Sequence, residues 1–157
     1  MKRLIKVFSI FLFFTSCYLN KNINGKRIFF ERIENFSNQV NLTFILNQKI
    51  KERILEYPGL SITDIKENAD YIVNLKILKF ERIPLFYSKE ADNIVGAKFE
   101  IGLKLDLKEK DKLIFDKNLF ETISFSIYKE YNEEEILNKI SERVAKKVYF
   151  EILKIKR

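Results

Sequence analysis

An α+β fold follows from three features of this 157-residue chain. Residues 42–57 and 132–155 carry apolar stripes at helical spacing. Residues 95–108 alternate apolar and polar side chains without a break, which demands one buried and one wet sheet face. The elements follow in the order β-α-β-β-β-β-α. An antiparallel β-sheet with two amphipathic helices packed on one face buries every apolar stripe in that order.

The elements are read in turn from the start of the domain. Residues 27–34 ("RIFFERIE") form an apolar and aromatic strand, which Asn35-Phe36-Ser37-Asn38 breaks. The first helix places Leu42, Ile45, Leu46, Ile50, Ile54 and Tyr57 on one side, and Pro58-Gly59 stops it. Residues 60–65 form a short strand. In residues 71–80, Tyr71, Val73, Leu75 and Ile77 share a face, and Pro84 with the polar run 88–93 makes a longer loop. After the strand at 95–108, "KEKDK" turns the chain. Residues 113–127 return with Leu113, Phe115, Leu119, Ile123, Phe125 and Ile127 on one face. Asn132 with Glu135 three residues on resembles a capping box for the last helix. Its stripe is Ile136, Ile140, Val144, Val148, Ile152 and Ile155, with acidic residues at its start and basic ones at its end to suit the dipole.

Composition narrows the function. The chain is 46% hydrophobic and 32% charged, which suits one domain with a sizeable core. With no histidine and one cysteine, the usual general base, thiol pairs and zinc ligand sets are missing, so no cofactor, metal site or catalytic constellation is expected. No Gly-rich phosphate loop occurs. Glu133–Glu135 is explained by a helix first turn, and the two N-glycosylation patterns at Asn35 and Asn41 as chance. Acidic and basic residues alternate, and no basic-aromatic motif appears, so nucleic acid is not an expected partner.

The first residues form a separate unit. Lys2, Arg3 and Lys6 precede an apolar run, Val7 to Phe14, and Thr15 and Ser16 stand directly before Cys17. This is the order of a secretory signal, and the run is too short to span a bilayer. Cleavage would remove those three charges and lower the formal net charge from +7 to +4. Phe14-Thr15-Ser16-Cys17 resembles a bacterial lipoprotein lipobox, with Phe14 where the usual pattern has Leu. That resemblance implies a thioether-linked diacylglycerol on Cys17, which becomes the first mature residue. The expected organisation is a signal peptide at 1–16, a lipidated cysteine and tether at 17–26, and a single α+β domain at 27–157. Tyr18 after the cysteine, where the inner-membrane retention signal has Asp, points to the outer membrane.

From the anchor onward the chain resembles the LPS-assembly lipoprotein family (LptE-like). The resemblance runs through the lipidated cysteine and the strand end Ile33-Glu34-Asn35-Phe36-Ser37-Asn38. It continues through the first helix, Ala69-Asp70 opening the strand "NADYIVNLKILKF", the long alternating strand, its return and the closing helix. It implies a plug and assembly partner for a large outer-membrane β-barrel (LptD-like) that delivers lipopolysaccharide or a related glycolipid. The domain would then face the periplasm or sit in the barrel lumen. Residues expected to face partner or glycolipid are Arg82, Lys98 and Lys104, as cations for anionic headgroups, with Glu100 and Asp106 on the same polar strand. The competing reading is a surface or periplasmic lipoprotein that binds a host or cell-wall-synthesis protein.

Overall fold

The computed structural model describes residues 25–57, 59–87, 94–126 and 132–154. Cys17, the signal segment, most of the tether, the loop at 88–93, Ile127 and Ile155 lie outside the described residues. The elements are β1 (Lys26–Phe30), β2 (Glu34–Asn35), α1 (Val40–Leu55), β3 (Leu60–Ile62), a 3-10 turn (Lys66–Asn68), β4 (Tyr71–Tyr87), β5 (Ile94–Glu109), β6 (Lys112–Ser126) and α2 (Glu133–Lys154). The class, the order and the two helices are as expected. The sheet order is β3-β1-β4-β5-β6, with β2 beside β4.

The sheet is mixed, where an antiparallel one was expected. β1 pairs in parallel with both β3 and β4, and β2 pairs in parallel with β4. The reason is the helical crossover. α1 carries the chain back along the sheet face, so β3 starts at the same end as β1. The segment after β3 then wraps around the start of β1. Thr63 N–H donates to Ile28 O at 3.0 Å, and Asp70 N–H donates to Arg27 O at 2.8 Å. The Asp70 carboxylate accepts the Arg27 N–H at 2.7 Å. Ala69-Asp70 therefore opens β4 by satisfying the backbone at the start of β1.

Three boundaries differ from the sequence reading. The first strand divides into β1 and the two-residue β2. The strand after Gly59 ends at Ile62 and gives way to the 3-10 turn. β4 runs on through Pro84, where a loop was expected, with register shifts after Ile77 and around Phe86. Among the described residues no strand pairs with β4 beyond β2 on the side away from β5, so this stretch of β4 has a free edge, where proline is tolerated.

The turn into α1 is built by Asn35. Its Oδ1 accepts from Ser37 N–H at 2.9 Å and from Ser37 Oγ at 2.7 Å, and its Nδ2 donates to Gln39 O at 2.9 Å. At α2, Asn132 Oδ1 accepts the Glu134 N–H at 3.0 Å, while Glu135 pairs with Lys139. The core joins Leu42, Leu46, Ile50 and Ile54 of α1 to the inward residues of β4, β5 and α2. Ile101, Leu103 and Leu105 on β5 have no exposed surface at all. The two helices run parallel: Gln39 Nε2 bonds Glu133 Oε1 at 2.9 Å at one end, and Tyr57 stacks on Tyr149 at 4.9 Å towards the other.

Candidate functional site

Period two along β5 puts Lys98, Glu100, Lys104 and Asp106 on the face opposite the helices, as alternation requires. The register brings like charges directly across from one another. Glu81 faces Glu100, Lys76 faces Lys104, and Asp106 faces Asp116. Such pairs are unfavourable when bare. Here Lys79 bridges the Glu81–Glu100 pair and Lys104 bridges Asp106 and Asp116, while Lys76 and Lys104 each find a separate acidic partner. Lys79 Nζ lies 3.3 Å from both Glu81 and Glu100, and Lys98 reaches Glu100 at 2.7 Å. Lys104 Nζ lies 2.8 Å from Asp116 and 3.7 Å from Asp106, and Lys76 is taken by Glu34 at 2.8 Å.

The electrostatics follow these contacts. Hydrogen bonds from Lys98 and then Lys79 hold the Glu100 carboxyl below its ordinary value. Hydrogen bonds to Glu81 and Glu100 raise Lys79. The hydrogen bond to Asp116 and the charge of Asp106 raise Lys104. These shifts favour the charged forms of Glu100, Lys79 and Lys104. The face is therefore a lattice of alternating charge whose members already satisfy one another.

Two features interrupt that lattice. Gly102 leaves a gap in the row, and the Phe120 ring lies over it from the strand alongside. A Cβ at 102 would meet Phe120 Cε1 at 3.2 Å and Lys79 Cγ at 3.0 Å. Asn74 and Asp106 sit directly across from one another, and an Oδ1 of each is buried without a hydrogen bond. Among the described residues no group of three or more metal-ligating side chains of the His, Cys, Asp and Glu types converges.

Arg82 does not join the other four candidates. Its register partner is Phe99, whose ring is buried on the helix side, so Arg82 lies on that same helix-side face and not on the polar one. The bulge after Ile77 sets this parity, because one extra residue exchanges the faces of everything beyond it.

Two charged residues on β6 carry a role that the sequence reading missed. Lys117 and Glu121 stand opposite Leu105 and Ile101, so they point towards α2. Glu121 meets Lys147 at 2.6 Å and Arg143 at 3.5 Å. Lys117 meets Glu151 at 2.9 Å, and Lys154 reaches the same carboxylate at 2.8 Å. The signal was present: the period-two series Phe115, Leu119, Ile123 skips 117 and 121, and both gaps are filled by charges. Inward charges on an edge strand also discourage pairing with another chain. Phe36, Val40 and Phe44, spaced by four, form an exposed apolar ridge at the start of α1, at 65%, 82% and 74% exposure. Open clefts of about 650 and 530 Å³ flank it, the first against Arg32 and Glu34, the second against Glu133 and Asn138.

No helix among the described residues is long and apolar enough to cross a membrane. No family model matches the sequence, and no curated protein matches it. Solved structures do share its fold. A hypothetical protein of Chlamydia trachomatis aligns over 82% of this chain and 95% of its own, with TM-score 0.58 and 9% identity. Rare lipoprotein B of Shewanella oneidensis aligns over 83% of this chain and 96% of its own, with TM-score 0.54 and 9% identity. A neuraminyllactose-binding hemagglutinin homolog from Helicobacter pylori aligns over 83% and 82%, with TM-score 0.53 and 18% identity. At such identities the likeness is one of fold.

Proposed function

We propose that this chain is a bacterial outer-membrane lipoprotein, anchored through Cys17, whose polar sheet face docks inside a large β-barrel translocon for lipopolysaccharide or a related glycolipid. The observation that carries this reading is the internal pairing of that face. Burying a lone charge against a partner costs several kcal/mol. Lys79, Lys98, Lys104, Glu81, Glu100, Asp106 and Asp116 already neutralise one another. Such a surface loses little when a polar, hydrated barrel wall closes around it. The role is that of a plug and assembly partner, with no catalytic chemistry.

The anchor part of the reading is supported by the basic, apolar and small-residue series ending at Cys17, and by a fold shared with rare lipoprotein B. Two or more acyl chains make a stable anchor, at about 0.8 kcal/mol per buried CH₂. The test is recovery of the tagged protein from gently solubilised membranes. A large β-barrel protein is expected to come with it. A Cys17→Ser chain is expected to fold normally and leave the membrane fraction. Consistent absence of a barrel, with the lipoprotein open to protease on intact cells, would favour a surface protein that binds a host or cell-wall component.

A further inference from the structure

We propose that, before a barrel takes up the domain, its tether end rests on the membrane surface that holds the anchor, so that the sheet stands upright on the bilayer. The proposal rests on the Cys17 anchor described above. Every strand except the short β2, and both helices, have one terminus at this end. β1 starts here, with Lys26 N–H bonded to Gly59 O at 3.2 Å. Tyr71 at the start of β4 pairs with Glu109 at the end of β5, and Glu109 pairs with Lys112 at the start of β6. The stacked Tyr57 and Tyr149 bring the last turns of both helices to the same place.

Chain length then sets the reach. From Cys17 to Gly25 the fully extended backbone covers roughly 28 Å at most. β5, with 16 residues, is about 50 Å long. The short tether thus holds the near end at the headgroups and leaves the far end of the hairpins out of reach unless the sheet lies flat. Lying flat would press the polar lattice or the outer helix faces onto the bilayer.

The near end has the chemistry of an interfacial contact. Leu55, Ile65 and Leu113 are 71%, 54% and 51% exposed on three separate segments: the end of α1, the β3–β4 connection and the start of β6. Lys108, Lys110 and Lys112 surround the β5–β6 turn and form no ion pair among the described residues. Lys110 holds that turn at φ 54°. Glu56, Glu109 and Asp111 lie at the same end, so attachment comes first from the apolar tips and second from the lysines. Such a contact is weak for a free molecule. Tethering makes it intramolecular, and a high effective concentration keeps it populated. The Phe36–Val40–Phe44 ridge lies about 24 Å away along the 16 residues of α1 and takes no part.

The test uses the lipidated full chain in vesicles of phosphatidylglycerol and phosphatidylcholine, with an environment-sensitive fluorophore on a new cysteine. Cys17 is blocked by its lipid and takes no label. Labels at Leu55→Cys and Leu113→Cys are expected to shift to the blue and to be quenched by spin-labelled lipid, while a label at Leu85→Cys is not. The pair Lys110→Glu and Lys112→Glu is expected to lower quenching of the Leu55→Cys label several-fold. Labels at 55 and 113 as water-exposed as the one at 85, on protein that floats with the vesicles, would overturn the proposal and leave the anchor standing. Protein that does not float and carries no lipid on Cys17 would instead overturn the anchor reading, and this contact with it.

Discussion

Glu151 offers the most direct probe of how α2 is held to the edge of the sheet. Its side chain is only 10% exposed and accepts from Lys117 at 2.9 Å and Lys154 at 2.8 Å. Burial by itself would raise its pKa, but the hydrogen bonds from Lys117 and Lys154 outweigh that and leave it lowered. A hydrogen bond to a charged group contributes about 1.5–3 kcal/mol, and both lysines are solvated enough to discount that figure. Glu151→Gln keeps the shape and one acceptor, so its cost at pH 7 is about 1.5 kcal/mol. For a chain of this size that lowers Tm by about 3–6 °C. The sign of the pH dependence follows from the lowered pKa. The stabilisation is fully present above the ordinary glutamate range and is lost as pH falls through the folded-state value. Thermal melts of both proteins from pH 7 down to pH 3 check this, and the two curves are expected to converge at the acid end. Equal Tm values at pH 7, or a gap unchanged at pH 3, would show that the Glu151 carboxylate does not hold α2 to the sheet edge.

Other outcomes follow from packing. Leu46→Ala removes a side chain with no exposed surface and is expected to cost about 2–5 kcal/mol in urea unfolding, while Phe44→Ala, at 74% exposure, stays within about 0.5 kcal/mol. Gly102→Ala places a Cβ 3.0 Å from Lys79 Cγ and 3.2 Å from Phe120 Cε1, both on side chains able to swing aside. Its cost is expected at about 1 kcal/mol or less, and a double-mutant cycle with Phe120→Ala should return a coupling of about 0.5–1 kcal/mol.

The features legible in the sequence are those with a local period. The alternation from 95 to 108 places its even-numbered residues on one face, and the helical stripes name the buried residues of α1 but only part of those of α2, where Leu137, Ser141, Ala145, Tyr149 and Glu151 are buried as well. What escaped depends on non-local choices. Nothing within residues 27–34 says that β1 takes parallel neighbours, because that is decided by the path of α1 and the wrap at Asp70. Arg82 groups with Lys98 in the sequence because the extra residue after Ile77 leaves no mark in the pattern. Lys117 and Glu121 read as ordinary strand charges until their partners on α2 are known. The polar face was legible as a face, but its like-charged rows and their bridges needed the register.

Whether the polar face is the docking surface is decided by site-specific photo-crosslinking in intact cells. A crosslinker at Lys104, on the lattice, and one at Glu142, on the outward side of α2, probe the two faces of the same molecule. An adduct with a large β-barrel protein is expected from position 104 and none from position 142. A barrel adduct formed equally from both positions, or from neither, would contradict docking through the polar face.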